Sequence, residues 1–230
     1  SGDGRTDATA DGLADVHVSP DAAWMLVDTE VNFSGSGNPV SVSSSNVSPG
    51  DLVIIGCDMA ASAGDITLSG FPSTTLNPQA LGPDRFPSSL DGGGVQTIVW
   101  WGLVDQSDGG AFGFTATPQG PNGFTDCTIN VYRGGTTAAS LVASKITSGT
   151  GMGLVTCGPV DTVPGGVAYY ITVRWGCVGT PQQTFVQLQD PEGNPNGDIV
   201  PTDGGPVQSL MNDCNSSTGD WVCATLSISP

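Results

Sequence analysis

Apolar and polar residues alternate along this chain in short runs, and the runs recur about every ten to fifteen residues. The longer ones are Trp24 to Val31, Asp51 to Met59, Val95 to Val104, Ala111 to Thr117, Thr125 to Arg133, Ser140 to Thr147, Gly153 to Val160, Val167 to Val178, Thr184 to Gln189 and Trp221 to Ser229. Shorter candidates are Pro39 to Ser43, Asp65 to Leu68 and Pro206 to Met211. Successive side chains of a strand point to opposite faces. Cys127, Ile129 and Val131 therefore share one face, with Thr128, Asn130 and Tyr132 on its reverse. Likewise Tyr169, Ile171, Val173, Trp175 and Cys177 oppose Tyr170, Thr172 and Arg174. No segment carries the 3.6-residue period of a helix, and β-branched residues dominate the runs.

Between the runs stand Ser48-Pro49-Gly50, Asp91-Gly92-Gly93-Gly94, Asp108-Gly109-Gly110, Pro164-Gly165-Gly166 and Asp203-Gly204-Gly205, turn chemistry in which proline presets φ and glycine permits its positive range. The pattern predicts an all-β protein, an antiparallel, jelly-roll-like β-sandwich of about a dozen strands. Residues 1–20 read as a flexible acidic arm and 21–230 as one large sandwich domain. No internal repeat stands out. The longest connection, Ser69 to Gly94, holds four prolines around Phe71, Leu76, Leu81, Phe86 and Leu90. A loop of that length is typically a contact-making one. Those five residues, together with Trp101, are the candidate interaction residues. Adjacent Trp100 and Trp101 must face opposite ways in a strand, so one ring is expected to lie outside or under a second layer.

Composition narrows the function. Twenty-two acidic residues face only Arg5, Arg85, Arg133, Lys145 and Arg174, for a net charge of −17. Direct nucleic-acid binding, which needs clustered cations, is excluded. No apolar run approaches the roughly 20 residues of a membrane-spanning helix.

Candidate chemistry is sparse. The single histidine, His17, lies in the polar arm, and no Gly-x-Ser-x-Gly elbow accompanies it, so no hydrolytic triad is expected. The carboxylates fall mostly in turns, where their default role is turn formation. The loop Asp190 to Asp198 offers oxygen ligands for calcium but lacks the spacing of a calcium-binding loop. Six cysteines occur without a Cys-x-x-Cys, so a thiolate metal site is not expected. Cys57, Cys127, Cys157 and Cys177 read as small buried hydrophobes, and Cys214 and Cys223 as a local disulfide across a turn-rich loop. No cofactor is implied, and the chain is not expected to be an enzyme.

One ordered set of motifs carries a resemblance. Ser48-Pro49-Gly50-Asp51-Leu52-Val53-Ile54-Ile55 is followed by Phe71-Pro72, then Ile98-Val99-Trp100-Trp101-Gly102-Leu103-Val104, Ala111-Phe112-Gly113-Phe114-Thr115 and Ile129-Asn130-Val131-Tyr132-Arg133-Gly134. From Ser48 to Gly134 the chain resembles the jelly-roll-like β-sandwich modules of tailed-phage virion proteins and bacterial surface proteins. Phe71-Pro72 stands where that pattern has Gly-Trp, and Gly102-Leu103 where it has Lys-Val. The resemblance implies that Tyr132, Arg133 and Gly134 close a strand into a turn. It further implies a virion structural protein on the outer capsid surface, a cement or decoration subunit bound to the major capsid protein or another virion protein, and a homo-oligomer, with a trimer expected. The alternatives are a tail-associated or receptor-binding adhesin and a secreted carbohydrate-binding module, which would make a glycan the partner.

Overall fold

The computed structural model describes residues 23–35, 37–60, 66–69, 81–86, 95–104, 110–119, 124–136, 138–150, 155–174, 181–182, 186–187, 196–200, 203–211 and 220–230. All regular structure among them is strand. The first eight are β1 (Met25–Ser34), β2 (Val40–Val47), β3 (Leu52–Ala60), β4 (Ile66–Ser69), β5 (Leu81–Phe86), β6 (Val95–Leu103), β7 (Gly110–Pro118) and β8 (Thr125–Arg133). The second eight are β9 (Leu141–Thr150), β10 (Val155–Thr162), β11 (Val167–Arg174), β12 (Pro181–Gln182), β13 (Val186–Gln187), β14 (Asn196–Ile199), β15 (Gly205–Met211) and β16 (Asp220–Ile228).

These strands form four antiparallel sheets, two from each half of the chain. The first half gives β1-β8-β3-β6-β5 and β2-β7-β4; the second gives β13-β14-β11-β16-β9 and β10-β15-β12. The pairings β1 with β8, β2 with β7 and β3 with β6 are those of a long hairpin rolled up on itself, the jelly-roll arrangement. Read from β9 as its first strand, the second half has the same order, strand for strand.

The agreement extends to single residues. Leu52 to Met59 pair with Tyr132 to Thr125, and Val167 to Arg174 pair with Ile228 to Trp221. Both inner strands follow a Pro-Gly turn whose glycine has positive φ, 85° at Gly50 and 73° at Gly165. The same hydrogen bond closes each turn, Asp51 N to Ser48 O at 3.1 Å and Gly166 N to Val163 O at 3.0 Å. On the first strand of each half the ladder skips one valine after a leucine: Val27 between Leu26 and Asp28, and Val142 between Leu141 and Ala143. The chain is thus an internal duplication, a repeat that the residue pattern alone does not expose.

Where the sequence suggests one two-sheet sandwich, the four sheets stack with three apolar interiors. Val42, Val53, Ile55, Ile129, Phe112 and Phe114 fill the first half, and Val155, Val160, Tyr170 and Val207 the second. Between them, the large sheets of the two halves meet face to face through Leu52, Ile54, Trp101, Tyr132, Tyr169 and Leu226. β3 lies against β11 and β6 against β16, so equivalent faces meet, as in an isologous dimer. Both large sheets are therefore covered twice, and Thr128, Asn130 and Tyr132 are as buried as Ile129 between them. Gly56 makes the close approach feasible: a Cβ there would overlap the Tyr169 hydroxyl and come within 2.8 Å of Ile171 Cδ1.

The cysteine expectations need correction. Cys57 bonds Cys127 across β3 and β8, and Cys157 bonds Cys223 between β10 and β16. The local Cys214–Cys223 bridge is not formed, because Cys223 faces the interior of the second half, where Cys157 stands opposite. Cys214 and Cys177 lie outside the described residues.

Candidate functional site

Alternation along β2 and β7 sends Val40, Val42, Phe112 and Phe114 inward and leaves Ser41, Ser43, Gly113 and Thr115 on the outer face. There they line a shallow, open depression of about 290 Å³. Ser41 Oγ lies 2.8 Å from Thr115 Oγ1. Gly113 keeps the floor low, since a Cβ at this position would press to 3.1 Å from Ser43 Cβ. Such a surface offers neutral hydroxyls as donors and acceptors. None of these residues, nor Val42 and Phe114 beside them, is ionisable, so the depression provides hydrogen bonding without a group that can activate a nucleophile.

Beside it runs β1, an edge strand of its sheet. Met25 and Phe33 are 62% and 46% exposed there, and Val142 on the equivalent strand β9 is 38% exposed. Side-chain bonds between β1 and β2 hold this edge: Asn46 Nδ2 on β2 donates to Val27 O at 3.0 Å, Ser44 Oγ donates to the Asp28 carboxylate, and in the other direction Asn32 Nδ2 on β1 donates to Ser41 O at 2.9 Å. At the end of the strand the buried Asp51 takes a two-pronged ion pair from Arg133, Nε to Oδ1 at 2.9 Å and Nη2 to Oδ2 at 2.8 Å. Arg133 Nη2 also donates to Ser48 Oγ at 3.0 Å. Asp51 in turn accepts from Ser48 N at 2.7 Å. Arg133 therefore ties the end of β8 to the Ser48–Asp51 turn. The hydrogen bond to Asp51 strengthens the guanidinium's hold on its proton.

Polar groups also lie between the halves. Tyr169 Oη is 3.1 Å from Thr128 Oγ1, and burial raises its pKa. Asp198 on β14 is 6% exposed, and loss of water pushes its carboxyl up to about 6. Tyr132 sits beside it, without a close, well-aligned hydrogen bond, and its own pKa is raised well above the ordinary value by burial and then by the Asp198 charge.

Trp101 is not an outward interaction residue. At 8% exposure it is covered by the second half, while Trp100 packs into the first-half interior, so each ring lies beneath its own layer. Leu81 and Phe86 are the first and last residues of β5, a strand where the sequence shows only a loop. Phe71, Leu76 and Leu90, His17, and most of the stretch from Asp190 to Asp198 lie outside the described residues; Asp198 itself is in β14. Among the described residues no three Asp, Glu, His or Cys side chains converge as metal ligands. Sequence reasoning missed the buried carboxyl groups Asp58, Asp126 and Asp198. Their signal was available for the first two, each adjoining a cysteine inside an apolar run. No protein-family model matches this chain, and no curated protein matches it.

Proposed function

We propose that the protein is a virion structural protein, a cement or decoration subunit on the outer surface of a tailed-phage capsid, without catalytic activity of its own. The observation that carries this reading is how the described chain is used. Two jelly-roll-like halves are closed on each other through a largely apolar face, and each half is braced by a disulfide of its own, a covalent reinforcement typical of virion and cell surfaces. A body so built serves to resist deformation. Attachment then rests on apolar and backbone contacts, with Met25 and Phe33 on β1 as available anchors, and with the major capsid protein and further copies of the chain, as a trimer, for partners.

The test adds purified protein to source particles stripped of it. Saturable binding and a higher temperature of particle rupture are expected, and moderate salt should leave both unchanged if apolar and backbone contacts carry the attachment. Unbound protein and unchanged rupture would sink the reading.

The hydroxyl-lined depression on β2 and β7 favours a second reading, an adhesin or carbohydrate-binding module. Glycan binding by the isolated chain, lost on Gly113→Leu, would replace the first proposal with this one.

A further inference from the structure

We propose that Asp58, Asp126 and Thr97 form a binding site for a divalent cation, with calcium the best fit. The three are neighbours on adjacent strands. Asp58 on β3 is directly opposite Asp126 on β8 and directly opposite Thr97 on β6, so all three side chains leave the sheet on the face turned toward the second half. Their exposures are 1%, 4% and 0%. The neighbouring register position on β5, opposite Thr97, belongs to Asp84.

Three observations take this row beyond a chance cluster of acids. First, Thr97 Oγ1 is fully enclosed, lies in the row, and has no hydrogen-bond partner. A buried hydroxyl left so loses stability unless something else accepts or coordinates it. Second, the duplication supplies an internal control. The equivalent positions in the second half are Val173 and Val222, paired in the same register and buried among apolar neighbours. The fold itself therefore has no need of carboxylates there. Third, the pair is clamped. Asp58 follows Cys57 and Asp126 precedes Cys127, and the disulfide holds those two Cα atoms 4.2 Å apart. Like charges directly opposite on a ladder repel. Holding two carboxylates together concentrates negative potential where a cation can use it.

Oxygen donors of this kind are hard ligands. Calcium accepts irregular shells and carboxylates in either denticity, whereas magnesium demands a near-ideal octahedron, which a single row of strand side chains is poorly placed to supply. Tyr169 adds a neutral oxygen nearby: its hydroxyl lies 3.1 Å from Thr128 Oγ1 and over Gly56, two positions along the strands from Asp126 and Asp58.

The test uses the full chain with its disulfides intact. Thermal unfolding is compared in EDTA and in about 1 mM CaCl2, where a rise of roughly 5 °C is expected if the site is well saturated. Calorimetric titration with CaCl2 should show one such site per chain, and MgCl2 should compete poorly. Asp58→Asn and Asp126→Asn should abolish the calcium response, and Thr97→Val should weaken it. The double variant Asp58→Val with Asp126→Val copies the second half, so it should fold and show no response. Identical unfolding of the native chain in EDTA and calcium overturns the proposal. So does a response that survives in the double-valine variant, which would place the ion elsewhere. Stabilisation on acidification from pH 7 to pH 5 with no calcium effect would mean that the two carboxyls share a proton instead.

Discussion

The two halves of this molecule share a strand order, a register, a bulge and a turn, yet hardly a side chain outside the apolar interior. Leu52 and Val167 begin the same strand; Asp51 beside the first carries the ion pair with Arg133, whereas Gly166 beside the second carries none. Trp101 and Asp198 occupy the same place, opposite Ile54 and Tyr169 respectively. Both halves place a cysteine on their last strand, but Cys127 reaches across its own sheet and Cys223 across to the facing one. Alternation and turn geometry thus suffice to specify the roll, and the remaining positions are released for other work. Gly56 and Ile171 show this best. They are equivalent by register and meet each other in the shared face, so an asymmetric pair of residues fills a nearly symmetric gap.

The sharpest break in the comparison is at the disulfides. Their sequence separations, 70 and 66, are almost equal. If each bridge acts mainly on the unfolded chain, Cys57→Ala with Cys127→Ala and Cys157→Ala with Cys223→Ala should each cost about 4 kcal/mol. Urea unfolding of the two variants checks this. Midpoints that fall unequally would mean that the in-sheet and cross-sheet locations matter more than chain constraint.

Next in size is the shared face. Gly56→Ile should cost about 3 kcal/mol through overpacking against Tyr169 and Ile171. Ile171→Gly should cost a similar amount through the void it leaves. The combined swap should recover at least about 1 kcal/mol, because the two sites touch. Strict additivity in denaturant titrations would show that the halves do not meet there.

The smallest effect concerns Asp198. Its folded pKa of about 6 lies above the ordinary 3.8, so the folded chain binds the proton more tightly than the unfolded chain does. The stability contributed by its neutral form is complete below about pH 4, declines as pH rises through 6, and is then flat, with a total span on the order of 2–3 kcal/mol. Asp198→Asn should remove that slope between pH 4.5 and 7.5 in urea midpoints and stabilise the chain at the upper end. A slope unchanged in the variant would assign it to another group.

Much of the strand pattern was legible in the residues. Thr125 to Arg133 matches β8 to the residue, and the runs at Asp51, Val95 and Trp221 locate β3, β6 and β16 to within a residue or two. The missed strands have turn-like composition. β5 contains Gly82 and Pro83, tolerable because it is an edge strand, and β14 reads Asn-Gly-Asp-Ile, extended because β11 lies beside it. The duplication was hidden for a related reason. Register is a property of backbone pairing, and few letters record it, among them Leu-Val at 26 and 141, Pro-Gly at 49 and 164 and the cysteines at 127 and 223. Likewise, Trp101 cannot reveal from its own neighbours that a second sheet covers it. The candidate site was least legible, since Asp58 and Asp126 become partners only when strands nearly seventy residues apart align.

The face-to-face contact between the halves also sets a problem of timing. The roll of the first half cannot close until β8 arrives to pair with β1, a separation of about a hundred residues, and high contact order of this kind makes for slow folding. Once it closes, Leu52, Ile54 and Trp101 wait on an open apolar sheet while the second half is synthesised. Because equivalent faces pair, the waiting surface of one nascent chain matches that of another. Early association between chains through this face is therefore the failure to watch for when the protein is refolded at high concentration.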